Sequence, residues 1–74
     1  MGQLAGFRYR DVTARLTRLG FVFARQARGS HEIWLDSATA RRTVVPNHRG
    51  DLPEGTVRGI LNLAGLTAEE FLAD

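Results

Sequence analysis

Two residue types are missing from this 74-residue chain, cysteine and lysine. Without cysteine there is no disulfide, no thiolate nucleophile and no cysteine-bound zinc. That fits a reducing compartment, and the cytoplasm is the expected location. Without lysine, all ten basic side chains are arginines. No apolar run approaches the ~20 residues of a membrane-spanning helix, so no membrane partner is expected. Met1-Gly2-Gln3-Leu4-Ala5 lacks the charged-then-apolar pattern of a secretory leader. Repeats and low-complexity tracts are absent too. A chain this short makes one domain, here residues 1–74, with a thin core and little room for a deep pocket. Its hydrophobic fraction of 43% is that of a folded rather than a disordered protein.

The net charge of +2 hides an uneven distribution. Three of the eight acids, Glu69, Glu70 and Asp74, fall in the last six residues. Residues 1–66 carry ten arginines against five acids, a charge of +5. The planar guanidinium makes bidentate contacts with phosphate, so this cationic body suits a polyanion.

Apolar residues at helical spacing (Val12, Leu16, Leu19) predict a helix over Tyr9 to Leu19, closed by a left-handed cap at Gly20. Arg8 and Tyr9 are poor capping residues, so its start is not marked. Aromatic and β-branched residues predict a strand over Phe21 to Gln26. A turn over Ala27 to Ser30, a strand over His31 to Leu35, a loop over Asp36 to Ala40 and a strand over Arg41 to Pro46 follow. Pro53 suits the first turn of a second helix, whose apolar face is Val57, Ile60, Leu61 and Ala64 and whose stop is Gly65. Gly55 and Gly59 inside it either allow a close approach to the sheet or are simply tolerated. Thr67 and Glu70 form a capping box, with Leu66 and Phe71 as its hydrophobic staple, so a short helix at about 67–73 ends the chain. Short connections favour an antiparallel meander with both main helices on one face. The expected class is α+β: an α-β-β-β-α, double-stranded-RNA-binding-domain-like layout with a three-stranded antiparallel sheet. Strict alternation groups His31 with Ile33 and Leu35, and Glu32 with Trp34, without saying which set meets the helices. Trp34 either fills the core or lines the open face, where base stacking is the further option.

Gly29-Ser30-His31 is the most informative tripeptide. Glycine permits a close backbone approach there, and a hydroxyl and an imidazole follow side by side. Histidine takes and gives protons near neutral pH. The only other histidine, His48, lies just beyond the third strand. RNA self-cleavage needs a base for the 2′-OH, in-line attack, a clamp on the crowded phosphate and an acid for the leaving 5′-oxygen. His31 can be the base or the acid. The second proton transfer falls to His48, another group or water. Ser30 and the nearby Arg28 are candidates to hold the phosphate, and Arg41 and Arg42 add two more, their plainer role being a solvated strand start. Ser30 has no acid placed to complete a nucleophilic triad. Such chemistry needs no metal and no cofactor, and two histidines without a local carboxylate pair do not suggest a metal site.

The sequence resembles the HicA toxins of HicA–HicB toxin–antitoxin pairs. The resemblance rests on Leu19-Gly20-Phe21 at the helix–strand junction, Gly29-Ser30-His31, Val44-Val45-Pro46-Asn47-His48, the segment Leu52 to Leu61, and the ending Ala64 to Phe71. Each motif is weak alone; in this order they are specific, and they cover roughly residues 10–72. The resemblance implies a double-stranded-RNA-binding-domain-like fold, mRNA cleavage that silences translation, and neutralisation by a HicB-like antitoxin. It carries the catalytic histidine to His31 and a second family histidine to His48. Many members mix lysine with arginine, which this chain does not. A different class, a non-catalytic RNA-binding module on the same fold, stays open. Such modules usually present a lysine-rich helix start to phosphates, and Leu52-Pro53-Glu54 is acidic instead.

Overall fold

The first helix, α1 (Tyr9–Arg18), buries Val12 and Leu16 one turn apart. The computed structural model describes residues 2–73; Met1, and the Asp74 counted in the acidic tail, lie outside the described residues. The unmarked start of α1 has a physical answer. An arginine side chain has no acceptor to offer, so only the reciprocal half of a capping box forms, in which the Arg8 N–H donates to Asp11 Oδ2 at 2.9 Å. At the other end Gly20 takes a φ of 103°. Its N–H donates to the Thr17 carbonyl at 3.1 Å, and the Phe21 N–H donates to the Leu16 carbonyl at 2.9 Å. That pair of bonds is a Schellman closure, and its hydrophobic contact is the buried Leu16–Phe21 pair.

The strands β1 (Val22–Gln26), β2 (His31–Asp36) and β3 (Arg41–Pro46) form an antiparallel sheet in the order β1-β2-β3. In β2–β3, His31 stands opposite Pro46, Ile33 opposite Val44 and Leu35 opposite Arg42. Those residues share one face. Glu32 and Trp34, opposite Val45 and Thr43, share the other, and all four are buried. The sheet therefore turns its Glu32–Trp34 face to the helices and its His31 face outward. A bulge at Ala24 shifts the register of β1. Val22, opposite Leu35, faces outward and is 57% exposed, and Phe23, opposite Trp34, lies past the helical cover and is 50% exposed.

The second helix, α2 (Glu54–Ala64), lies over β3 and buries the four predicted apolar residues. Thr43 Oγ1 donates to the Ile60 carbonyl at 2.7 Å, fixing helix to strand. Pro53 sits one residue earlier than expected, as the N-cap rather than inside the first turn. Its carbonyl accepts from Thr56 and Val57, which a proline can do, because only its N–H is missing. Between the two readings of Gly55 and Gly59, tolerance holds: a methyl group at either would meet no atom within 4 Å. The short helix α3 (Ala68–Leu72) carries the predicted capping box. The Thr67 N–H donates to Glu70 Oε1 at 2.8 Å and the Glu70 N–H donates to Thr67 Oγ1 at 3.0 Å. The Thr67 backbone N–H, then its hydroxyl, and beyond them the Arg41 charge hold the Glu70 carboxyl below the usual glutamate range. Phe71 is fully buried, and Arg15 Nη1 donates to its carbonyl at 3.0 Å. The architecture is the expected α+β, double-stranded-RNA-binding-domain-like one.

Candidate functional site

His31 opens β2 on the uncovered face, and its side chain is exposed. The turn before it is tightly wired. The Ala27 N–H donates to the His31 carbonyl at 2.8 Å, and the His31 N–H donates to the Arg28 carbonyl at 3.1 Å. Gln26 Nε2 donates to the Gly29 carbonyl at 2.8 Å. Gly29 has a φ of 60°, and a methyl group there would meet nothing within 4 Å. The glycine serves the left-handed dihedral, not the close approach expected from the sequence.

Across the sheet end, the Asn47 N–H donates to the Ser30 carbonyl at 2.9 Å. This bond stitches the Gly29-Ser30-His31 turn to the β3–α2 connection, in which the exposed His48 follows Asn47. The two histidine-bearing segments thus meet at one end of the sheet.

Beneath this junction lies Glu32, 5% exposed. Its Oε1 accepts from Tyr9 Oη at 2.7 Å and from Trp34 Nε1 at 3.0 Å, and its Oε2 accepts from Asn47 Nδ2 at 3.1 Å. A carboxylate out of water is costly unless it is hydrogen-bonded, and here three neutral donors do that. Partial burial, then the hydrogen bond to Glu32 and its charge, push the Tyr9 hydroxyl up from 10.0 to about 12, so it stays a donor. The first residue of α1, the middle of β2 and the residue before His48 are all tied to one side chain. A second tie lies alongside: the Leu52 N–H donates to the Phe7 carbonyl at 2.7 Å, and Arg8 Nε pairs with Asp51 Oδ1 at 3.4 Å. Between the start of α1 and the β3–α2 connection these ties leave a cleft of about 360 Å³, lined by Arg8, Tyr9, Arg10, Asn47, His48, Arg49 and Gly50.

The other candidate residues spread out. Ser30 is half-buried beside His31, and Arg28 is exposed in the turn. Arg42 shares the open face with His31, but at the opposite end of the sheet. The length of β3 separates them, on the order of 15 Å at ~3.4 Å per residue. Arg41 lies on the helix side, where its Nη1 donates to the Gly65 carbonyl at 3.2 Å. Trp34 is 8% exposed on the helix side and offers no face to a base. Arg25, opposite Ile33 on the open face and diagonal to His31, was not singled out by motif. Glu32, Tyr9, Asn47, Arg10 and Arg49 were not either. Among the described residues no group of three or more His, Asp or Glu side chains stands together to hold a metal ion.

A family model, the HicA toxin of bacterial toxin–antitoxin systems, matches residues 9–66. The chain belongs to the HicA toxin family. As a HicA-family protein it has the role of a toxin with an antitoxin partner. The match runs from Tyr9 to Leu66, so it contains the whole Glu32 network and both histidines, and it stops short of α3. No curated protein matches the chain. Among the described residues no helix is long and apolar enough to cross a membrane.

Proposed function

We propose that this HicA-family toxin is a metal-independent endoribonuclease that cleaves mRNA in the cytoplasm, with His31 as its acid–base group. The observation that carries the reading is the placement of His31: an exposed imidazole on the uncovered sheet face, in a turn stitched to the His48 segment. The imidazole takes the 2′-OH proton as O2′ attacks phosphorus in line, or supplies the proton that the departing 5′-oxygen needs. His48 or water makes the other transfer. Attack leaves a 2′,3′-cyclic phosphate on one fragment and a 5′-hydroxyl on the other. The Ser30 hydroxyl and Arg28 hold the phosphate, and Arg42 contacts the strand farther along the open face. A non-catalytic RNA-binding module gains no support from α2, whose first residue, Glu54, faces Arg58 at 3.7 Å instead of offering a basic helix start.

The antitoxin is a HicB-like protein that covers His31 and presents acidic groups to the arginines, since complementary charge speeds association. A standard contact of about 800 Å² per partner is a large part of the 4797 Å² surface. The test is growth. Wild type and His31→Ala, expressed from a tightly controlled promoter, should differ, with arrest only for wild type, and co-expression of the adjacent gene should relieve that arrest. A His31→Ala protein as toxic as wild type would remove His31 from the mechanism.

A further inference from the structure

Beside His48, the cleft between the start of α1 and the β3–α2 connection holds groups that have no part in the proton transfers. Besides Arg8, two arginines line it from different elements, Arg10 from α1 and Arg49 from the connection. The two ion pairs among the described residues, Arg8–Asp51 and Arg58–Glu54, engage neither. Asp51 already offsets Arg8, so the excess charge of the cleft belongs to Arg10 and Arg49. Its floor does not need to form on binding. Tyr9 and Asn47 are both fixed on the buried Glu32 carboxylate, and Asn47 is bonded through its backbone to Ser30, the residue before His31.

We propose that this cleft is a second phosphate subsite, which holds a phosphodiester of the RNA strand next to the one cleaved at His31. Guanidinium groups from two sides suit the paired oxygens of a phosphodiester. The fixed floor sets the distance from that phosphate to the His31 turn, so a bound strand is held in register with the imidazole. Two guanidinium groups in one cleft, outside both ion pairs, favour a polyanion as the occupant. The proposal rests on the ribonuclease reading but adds residues to it.

The experiment measures affinity for a short single-stranded RNA across a salt series, in a His31→Ala background that leaves the RNA intact. Arg10→Gln with Arg49→Gln is compared with a charge-matched control, Arg18→Gln with Arg58→Gln, after thermal melts show that both are folded. Two lost phosphate contacts on a single strand lower the slope of log affinity against log salt by about 1.4, while the control keeps the parent slope. Equal slopes for the two double variants overturn the subsite and leave the ribonuclease reading standing. Absence of RNA binding by the His31→Ala parent overturns both. If the Arg10/Arg49 variant binds RNA like the parent but binds the antitoxin more weakly, the cleft belongs to the partner and the proposal fails.

Discussion

Tyr9 is the only tyrosine in a chain without lysine or cysteine, so between pH 9 and 12 its hydroxyl is the side chain whose ionisation is read. The fold raises its pKa from 10.0 to about 12 through partial burial and through Glu32. A raised pKa means that the folded state favours the neutral phenol. The stabilisation is complete below pH 10 and is lost as pH rises through about 12. An ultraviolet titration of the folded protein should give a midpoint near 12, and urea unfolding should weaken over that window in wild type but not in Tyr9→Phe. A midpoint at 10 would mean that the Tyr9–Glu32 bond is not formed in solution. Gly29 gives a second test. Its φ of 60° lies in the left-handed region, with open space around it. Gly29→Ala should therefore lower stability by about 1 kcal/mol through the backbone alone, and Gly29→Asn by less, because asparagine tolerates this region. Equal stability of all three proteins would refute the dihedral explanation.

At the scale of elements, α2 carries an avoidable cost. Gly55 and Gly59 have open space where a methyl group would go. Gly55→Ala and Gly59→Ala should each stabilise by about 0.5–1 kcal/mol. For a domain of this size 1 kcal/mol raises the melting temperature by about 4–8 °C. A fall in melting temperature would show that something packs on those positions. The strand boundaries and both main helices were legible because their signals are local: alternation, helical spacing, Gly20 and Gly65 as stops, Pro46 as a strand end. The facing of the sheet was not. Alternation grouped Glu32 with Trp34, but a glutamate beside a tryptophan argues for both faces at once. Only the donors converging on Glu32 from α1 and from Asn47 resolve it, and those come from residues 23 and 15 positions away. Arg10 and Arg49 were invisible for the same reason: nothing in their local sequence joins them, and the cleft exists only once the Glu32 network has drawn α1 to the β3–α2 connection. His31 was singled out by its motif, and the sequence placed it on a strand, as the fold does, without saying which face it takes.

At the scale of the molecule, the fold divides its sheet by task. The helices, Leu4 and Phe71 close one face over Trp34, Thr43 and Val45, while His31, Arg25 and Arg42 remain on the other. The rim that joins the two faces is where Glu32, Asn47 and Ser30 link the buried layer to the candidate chemistry. A domain of 74 residues has little core to spare. Placing a buried, fully hydrogen-bonded carboxylate directly under the histidine-bearing segments sets their positions without a deep pocket. On the proposed function, His31 moves a proton in RNA cleavage without a metal. Purified wild-type protein, His31→Ala and single-stranded RNA, incubated in excess EDTA, test it most directly. Wild type should cleave in EDTA, leaving cyclic-phosphate ends, and His31→Ala should be slower by about 10²–10⁴-fold while melting like wild type. Cleavage by His31→Ala at the wild-type rate, or loss of wild-type cleavage in EDTA that one added metal restores, would contradict it.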